Sequence, residues 1–207
     1  AVGNLALAFN TTGGNNIAVG MCSLYDNTTA SGNTAVGHSS LLKNTTGTRN
    51  TAIGSCSSCN VTTGAHNTAV GTCALKNNTD GCNTAVGSCA LDTNSTGGNN
   101  TAVGAFALDS NTTGARNTAV GKGSLVANTT ASDNVAMGEG SMQSNTTGAD
   151  NVALGVNALA NNTTASNNTA VGRNSLVANT TGGNNTAVGL CSLSANTTAI
   201  DNTTLGS

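Results

Sequence analysis

The chain has 207 residues, no proline and an Asn-, Thr-, Gly- and Ala-rich composition, with 1% aromatic and 7% charged residues. A conventional domain of this length carries far more large apolar and charged residues, and a net charge of −2 without a basic cluster gives no reason to expect nucleic-acid binding. Because no apolar run approaches the roughly 18 residues that span a bilayer, we expect no membrane-spanning segment.

One short phrase recurs through the whole chain: NTAVG or a close variant, as in residues 117–121 and 134–138. Its closing glycine returns every seventeen residues, with one interval of sixteen between Gly71 and Gly87. A fixed period of this kind is the signature of a repeat architecture, and it argues against the disorder that such a composition would otherwise suggest. We therefore expect residues 1–207 to form a single repeat array, a segment of a longer fibre.

The NTAVG phrase alternates β-branched and small residues and ends at a glycine, a pattern that predicts a short strand. The residue before the glycine is always Val, Ile, Leu or Met, and the fourth residue after it is Leu or Met except at Ser58. Both positions are predicted to be core, so we expect Val36, Val120 and Leu125 to point inward.

The next phrase, SLVANT at residues 124–129, is predicted to be a second strand, and the ASDN segment at 131–134 a turn. Helix is disfavoured because Gly, Asn, Thr and Ser are poor helix formers. Strand, bend, strand and turn make one coil of a solenoid. The sequence thus predicts an all-β fold, a parallel β-solenoid (β-roll or β-helix) of about twelve 17-residue coils stacked at about 4.7–4.9 Å.

An asparagine opens every complete NTAVG-type phrase. Because an amide side chain both donates and accepts, stacked asparagines can bond to one another and to the backbone. We predict a structural asparagine ladder formed by Asn16, Asn33, Asn50, Asn67, Asn83, Asn100, Asn117, Asn134, Asn151, Asn168, Asn185 and Asn202.

Small residues accompany the two predicted core positions: Ala precedes the Val, and Ala or Ser precedes the Leu, as at Ser40, Ala74 and Ala158. If the Val and Leu point inward, these small residues face outward, where a uniformly small surface indicates close approach of another chain. The alternative is tight packing within the coil.

The combination of NTAVG with A/S-L-x-x-N-T-T-G resembles the seventeen-residue repeats in the stalks of phage-type tail-fibre proteins. It is also similar to the head repeats of YadA-type trimeric autotransporter adhesins. The resemblance implies a non-enzymatic structural fibre at a cell or virion surface or secreted, adhesive or matrix-forming. It also implies self-association as a homotrimer or filament and a possible cell-surface receptor as partner.

A weaker likeness is to ryegrass-type ice-binding proteins, and it supplies an alternative function, ice binding by a β-solenoid. The candidate ice-binding surface is the paired threonine column of the NTT phrase, such as Thr112 and Thr113 above Thr129 and Thr130. Asp80 interrupts this column, so we rank the fibre first.

Five of the seven cysteines share one position, two residues after the glycine, and Cys56, Cys73 and Cys89 occupy it on successive coils. Neighbouring Cα atoms about 4.8 Å apart lie within disulfide range. Structural disulfides among Cys56, Cys73 and Cys89, with Cys59 and Cys82 as further candidates, are therefore predicted. Buried free thiols and a metal site remain alternatives.

The NTT phrase is also an N-glycosylation sequon. If glycans are attached, they would project from one edge of the rod. The candidate positions are Asn10, Asn27, Asn44, Asn60, Asn77, Asn94, Asn111, Asn128, Asn145, Asn162, Asn179 and Asn196.

No catalytic constellation is present, and we expect neither an enzyme nor a cofactor or metal. His38 and His66 occupy unrelated positions of the repeat. Asp133, Asp150 and Asp201 share one turn position, where we expect them to cap turns.

Overall fold

The structure is a computed structural model, and it describes residues 1–206. One three-residue strand from each coil joins a single parallel sheet of twelve strands in chain order. The strands are β1 (Ile17–Val19), β2 (Thr34–Val36), β3 (Thr51–Ile53), β4 (Thr68–Val70), β5 (Thr84–Val86), β6 (Thr101–Val103), β7 (Thr118–Val120), β8 (Val135–Met137), β9 (Val152–Leu154), β10 (Thr169–Val171), β11 (Thr186–Val188) and β12 (Thr203–Leu205). The predicted all-β parallel solenoid is confirmed, and residues 1–206 contain no helix.

The strands pair in strict register, each residue beside its equivalent one coil away. The sixteen-residue coil does not disturb this register, since β4 and β5 pair in the same way as their neighbours. The missing residue is absorbed in the turn before β5. There the Cys82 N–H donates to the Ala65 carbonyl, seventeen residues back, whereas the equivalent Arg49 N–H donates to Ser31, eighteen residues back.

The strands place alanine inside the coil and valine outside. Ala119 is fully buried, while Thr118 and Val120 beside it are partly exposed. The prediction that Val36 and Val120 point inward is therefore wrong, whereas Leu125 is fully buried as predicted. Alternation with period two fixes which residues share a face but not which face is inside. The narrow interior already holds leucine and asparagine, which leaves room for little more than a methyl group.

The small residues that precede the leucines also lie inside. Ser40, Ala74 and Ala158 are fully buried. Of the two interpretations of the small residues, the structure shows packing within the coil. Their size is set by the interior and gives no argument for contact with another chain.

The predicted second strand, residues 124–129, is a series of turns followed by a bend. Leu125 has a φ of 50° and Gly123 a φ of 63°, both in the left-handed region, whereas a strand requires negative φ. The prediction of a strand here is wrong because the chain must curl around the narrow interior. The segment still bonds to the next coil, since the Leu125 N–H donates to Ser141 O at 3.0 Å.

The glycine that closes each strand is required by its neighbours. Gly121 has a φ of +130°, and a Cβ built on it would lie 2.6 Å from the carbonyl carbon and oxygen of Gly138. The same close approach recurs at Gly71, where a Cβ would lie 2.5 Å from Gly87 O. This column therefore excludes any side chain, which explains why the glycine recurs in every coil.

Candidate functional site

Two columns of asparagine run through the coil interior. The first, here called the strand-side ladder, consists of the twelve asparagines named above as a predicted ladder. The Asn117 N–H donates to Asn100 Oδ1 at 2.9 Å, and the Asn134 N–H donates to Asn117 Oδ1 at 3.1 Å. The Asn117 Nδ2 donates to Ala131 O at 2.9 Å. Each amide thus joins its own coil to both neighbours.

The second column, here called the turn-side ladder, consists of the asparagines at the equivalent position of the NTT phrase in successive coils. Asn128 is fully buried, and its Nδ2 donates to Asn111 Oδ1 at 2.8 Å and to Ala131 O at 3.0 Å. The next coil repeats both bonds, from Asn145 Nδ2 to Asn128 Oδ1 and to Gly148 O. An amide that donates two hydrogen bonds inside the coil is a structural group.

This burial bears directly on the predicted glycans, because a glycan would replace a hydrogen on the same Nδ2 atom. The fully buried sequon asparagines are Asn27, Asn44, Asn94, Asn111, Asn128, Asn145, Asn162 and Asn179. Asn10 and Asn196, in the terminal coils, are part-buried and donate to the equivalent turn carbonyls. A glycan at these ten positions is incompatible with this fold. The sequon pattern is local and carries no information on burial, so the sequence could not separate these buried candidates from exposed ones.

Asn60 and Asn77 differ from the other sequon asparagines, since both are part-exposed and lie outside the turn-side ladder. The Asn60 Nδ2 donates to Asn77 Oδ1 at 2.8 Å, and the Asn77 Nδ2 donates to Asp92 O at 3.0 Å. In these two coils the ladder position is taken instead by Val61 and Asn78, both fully buried.

Val61 interrupts the turn-side ladder and leaves one of its asparagines with an unpaired oxygen. Asn44, one coil earlier, has a buried Oδ1 with no hydrogen-bond partner among the described residues, because valine offers no donor. The sequence does contain a signal that the asparagine position of the NTT phrase is interior, since the one residue that replaces asparagine there, Val61, is apolar. That signal was missed because the sequon motif accounted for the asparagines equally well.

All seven cysteines are free in the structure, so none of the predicted disulfides is formed. Cys59 is buried, and burial, followed by the neighbouring Cys56, raises its pKa to about 11. Burial also raises the pKa of Cys73, with contributions from Cys89 and Cys56. Cys59 and Cys73 are therefore mainly protonated at neutral pH and weak nucleophiles. Cys82 is exposed in the turn before β5, outside the column formed by Cys56, Cys73 and Cys89.

The NTT threonines, the sequence-based candidate for ice binding, use half of their hydroxyls internally. The Thr112 Oγ1 donates to Thr129 O at 2.9 Å, and the Thr129 Oγ1 donates to Thr146 O at 3.1 Å. Ser95 makes the same bond, to Thr112 O at 2.8 Å. The first threonine of the regular NTT phrases therefore serves the stacking of the coils, while the second, such as Thr113, is exposed. In the coil with Val61 the second threonine, Thr63, donates instead, to Thr79 O at 3.4 Å.

A different surface presents free hydroxyls. We call it the sheet face: the outward first and third residues of β1–β12, which are Thr, Val or Ile in the first rank and Val, Ile, Met or Leu in the second. No strand contains a charged residue. Within residues 1–206 the strand threonines, such as Thr101 and Thr118, make no side-chain hydrogen bond to the protein, nor are their hydroxyls buried.

The charged and ionisable groups lie on the outer turns. Arg116 Nε and Nη2 each donate to a carboxylate oxygen of Asp133 at 2.7 Å. This hydrogen bonding lowers the pKa of Asp133. His66 contacts Arg49 at 3.3 Å between Nε2 and Nη1, and His38 contacts Ser39. In the part of the chain that is described, no group of three or more His, Cys, Asp or Glu side chains is placed to hold a metal ion.

The three aspartates of the repeat turns each lie at the bend one residue before the asparagine that precedes a strand. Asp133, Asp150 and Asp201 have φ values of 63°, 57° and 58°, a left-handed conformation that short polar side chains tolerate well. No helix within residues 1–206 is long and apolar enough to cross a membrane.

No protein-family model matches the chain, and neither the curated proteins nor the solved structures include a significant match to it.

Proposed function

We propose that this chain is a non-enzymatic structural rod of a fibre, secreted or displayed at a cell or virion surface. The supporting observation is the unbroken stacking of its coils. Strand pairing runs in one register from β1 to β12, through the sixteen-residue coil, and the strand-side ladder runs with it from Asn16 to Asn202. A chain in which every coil repeats the same strand pairing and the same strand-side ladder can be lengthened by adding further coils, as a fibre requires.

The stacking also resists bending and local opening. Every coil is tied to the next by strand pairing, by turn-to-turn backbone bonds and by amide ladders, while only neighbouring coils touch. With no fully buried charged residue and no catalytic cluster in the described coils, the architecture suits mechanical spacing better than chemistry. The likeness to tail-fibre and adhesin repeats supports the same proposal.

We also propose that the rods associate into homotrimers or filaments. Because the small residues lie inside, association has to use other groups. The exposed apolar side chains in the two positions after the strand glycines, Met21, Phe106, Val156 and Leu190, provide such contacts. A cell-surface receptor is the remaining proposed partner.

Small-angle scattering and sedimentation test both parts. An elongated particle, about 55–60 Å long per chain at about 4.7–4.9 Å per coil, is expected, with a mass that is a multiple of 19.9 kDa. The variant Phe106→Ser with Leu190→Ser should lower the mass toward one chain, whereas Thr113→Ser should not. A compact particle contradicts the rod, and a single-chain mass for the parent protein contradicts self-association.

A further inference from the structure

The sheet face presents two parallel ranks of side chains along the whole rod. The first rank is unbroken threonine over six successive strands, Thr34, Thr51, Thr68, Thr84, Thr101 and Thr118. The second rank beside it is Val36, Ile53, Val70, Val86, Val103 and Val120. Each strand therefore offers one hydroxyl and several methyl groups in the same arrangement as the strand before it.

The hydroxyls of this rank differ from those of the NTT phrase. The first NTT threonines donate to a carbonyl of the next coil, as Thr112 does to Thr129 O. The strand threonines make no such bond to the described protein, since the neighbouring backbone groups pair within the sheet. Their donors and acceptors are thus available to whatever lies on the face.

The ranks form a two-dimensional lattice. Equivalent residues repeat at about 4.7–4.9 Å along the rod, and the two ranks lie about 6.6 Å apart across each strand, twice the rise per residue. Sheets normally twist by about 20–25° between strands, and untwisted sheets are found where side-chain ladders or stacking hold them. The strand-side ladder, whose asparagines directly precede each strand, provides such a constraint along the edge of this sheet.

The composition of the face excludes several occupants. With no charged residue on any strand, it lacks the groups that would recognise nucleic acid, phosphate or an acidic peptide. The face is also too small to form a stable interface with a second copy of the chain. Eleven coil spacings by a width of about 10 Å give about 500 Å², below the roughly 800 Å² per partner of a stable protein interface.

We propose that the sheet face binds the ordered water lattice at the surface of ice. Such a ligand has its own regular repeat, close to one coil spacing, so every strand can engage it in the same way. The hydroxyls bond to lattice water, while the threonine and valine methyls hold the waters between them in place. This site is distinct from the NTT columns, whose first hydroxyls are already bonded, and it does not depend on self-association.

The test uses charge on the face against charge on a neighbouring surface. We expect the parent protein to show thermal hysteresis beyond the colligative effect and to shape ice crystals. Thr101→Lys with Thr118→Lys should lower the hysteresis at least tenfold, because two long ammonium side chains lift the face from the lattice. Thr113→Lys with Thr130→Lys, on the second NTT threonines, should leave it within about twofold. Circular dichroism of all variants should be unchanged.

A second pair of variants increases the regularity of the face. Val135→Thr with Val152→Thr makes the threonine rank unbroken from β2 to β12, at positions where other coils already carry threonine. Higher hysteresis than in the parent is expected. Absence of hysteresis in the parent, or equal loss in both lysine pairs, overturns the proposal. So does a dimer that only the Thr101/Thr118 lysine pair dissociates, since the face is then an interface between copies. Scattering tests the rod separately from all of these.

Discussion

The coils at residues 54–86 and those at residues 104–171 differ inside but not in their pairing. The first region, called here the irregular coils, has Ser58 in the leucine column, Val61 in the turn-side ladder and one residue fewer before β5. The second region, the regular coils, has Leu or Met and Asn throughout. In the irregular coils the apolar core divides into two clusters, one ending at Val61 and the other beginning at Ala69.

The difference shows which contacts set the register. Strand pairing, the glycine column and the strand-side ladder all continue unchanged through the irregular coils. The leucine column and the turn-side ladder do not. Pairing therefore depends on the strand half of the coil, and the turn half contributes stability that varies from coil to coil.

The largest expected effect should be the same in both regions. Gly121→Ala and Gly71→Ala each bring a Cβ into a backbone carbonyl of the next coil at a φ near +130°. Each should lower the free energy of unfolding by about 4 kcal/mol or more, from strain and overpacking together. Chemical denaturation measures it. Gly123→Ala is the control for backbone strain without a close contact, since its φ is +63° but its Cβ would meet open space. A much smaller loss at Gly71 would show that the irregular coils stack more loosely.

The turn-side ladder gives the next effect. Asn128→Val removes both Nδ2 bonds and leaves Asn111 Oδ1 buried without a donor. The free energy of unfolding should fall by about 2–4 kcal/mol. Thr129→Val, which removes one part-exposed hydroxyl bond on the next residue, should cost less than about 1.5 kcal/mol. Equal losses for the two variants would contradict the structural role of the ladder.

The irregular coils offer the reverse experiment. Val61→Asn supplies an Nδ2 to the unpaired Asn44 Oδ1, and its own Oδ1 faces Asn78. We expect a gain of about 1 kcal/mol in the free energy of unfolding, the net value of a hydrogen bond to a previously unsatisfied group. Val61→Ala, which removes volume and adds no donor, should instead destabilise the chain. If Val61→Asn destabilises as much, then valine volume near Ser58 matters more than the missing bond.

The smallest effect concerns two outer carboxylates. Burial, and then Asp92 on the adjoining coil, raise the pKa of Asp109, whereas hydrogen bonding to Arg116 lowers that of Asp133. A raised carboxyl pKa destabilises the fold at neutral pH and is relieved as the pH falls through it. A lowered pKa stabilises the fold above the unfolded value and is lost in acid.

Asp109→Asn should therefore slightly stabilise the chain at pH 7, and Asp133→Asn should slightly destabilise it. Both differences from the parent should shrink as the pH falls through the carboxyl range. Thermal unfolding across pH 3–8 measures them. Stabilisation by Asp133→Asn would contradict the role of Arg116, and destabilisation by Asp109→Asn would contradict the effect of burial at that position.

Sequence alone determined the solenoid, its period and the inward leucines. The glycine, the leucine and the opening asparagine recur at fixed spacing, and only stacked coils bring such residues together. The strand-side ladder was predictable for the same reason, since Asn117 and its equivalents stand beside a strand whose partner is the next repeat.

Tertiary structure alone decided what lies inside the coil. Alternation along a strand is compatible with either set of residues facing inward, and side-chain size alone favours the larger valine. The closed coil is too narrow for valine, so alanine lies inside. Asn128 and its equivalents match the three-residue N-glycosylation sequon, which is typical of exposed asparagines, yet the chain curls around them and buries them. Local patterns specify spacing and backbone conformation. Which residues are buried depends on the path by which each coil closes, and that path is defined only by the tertiary structure.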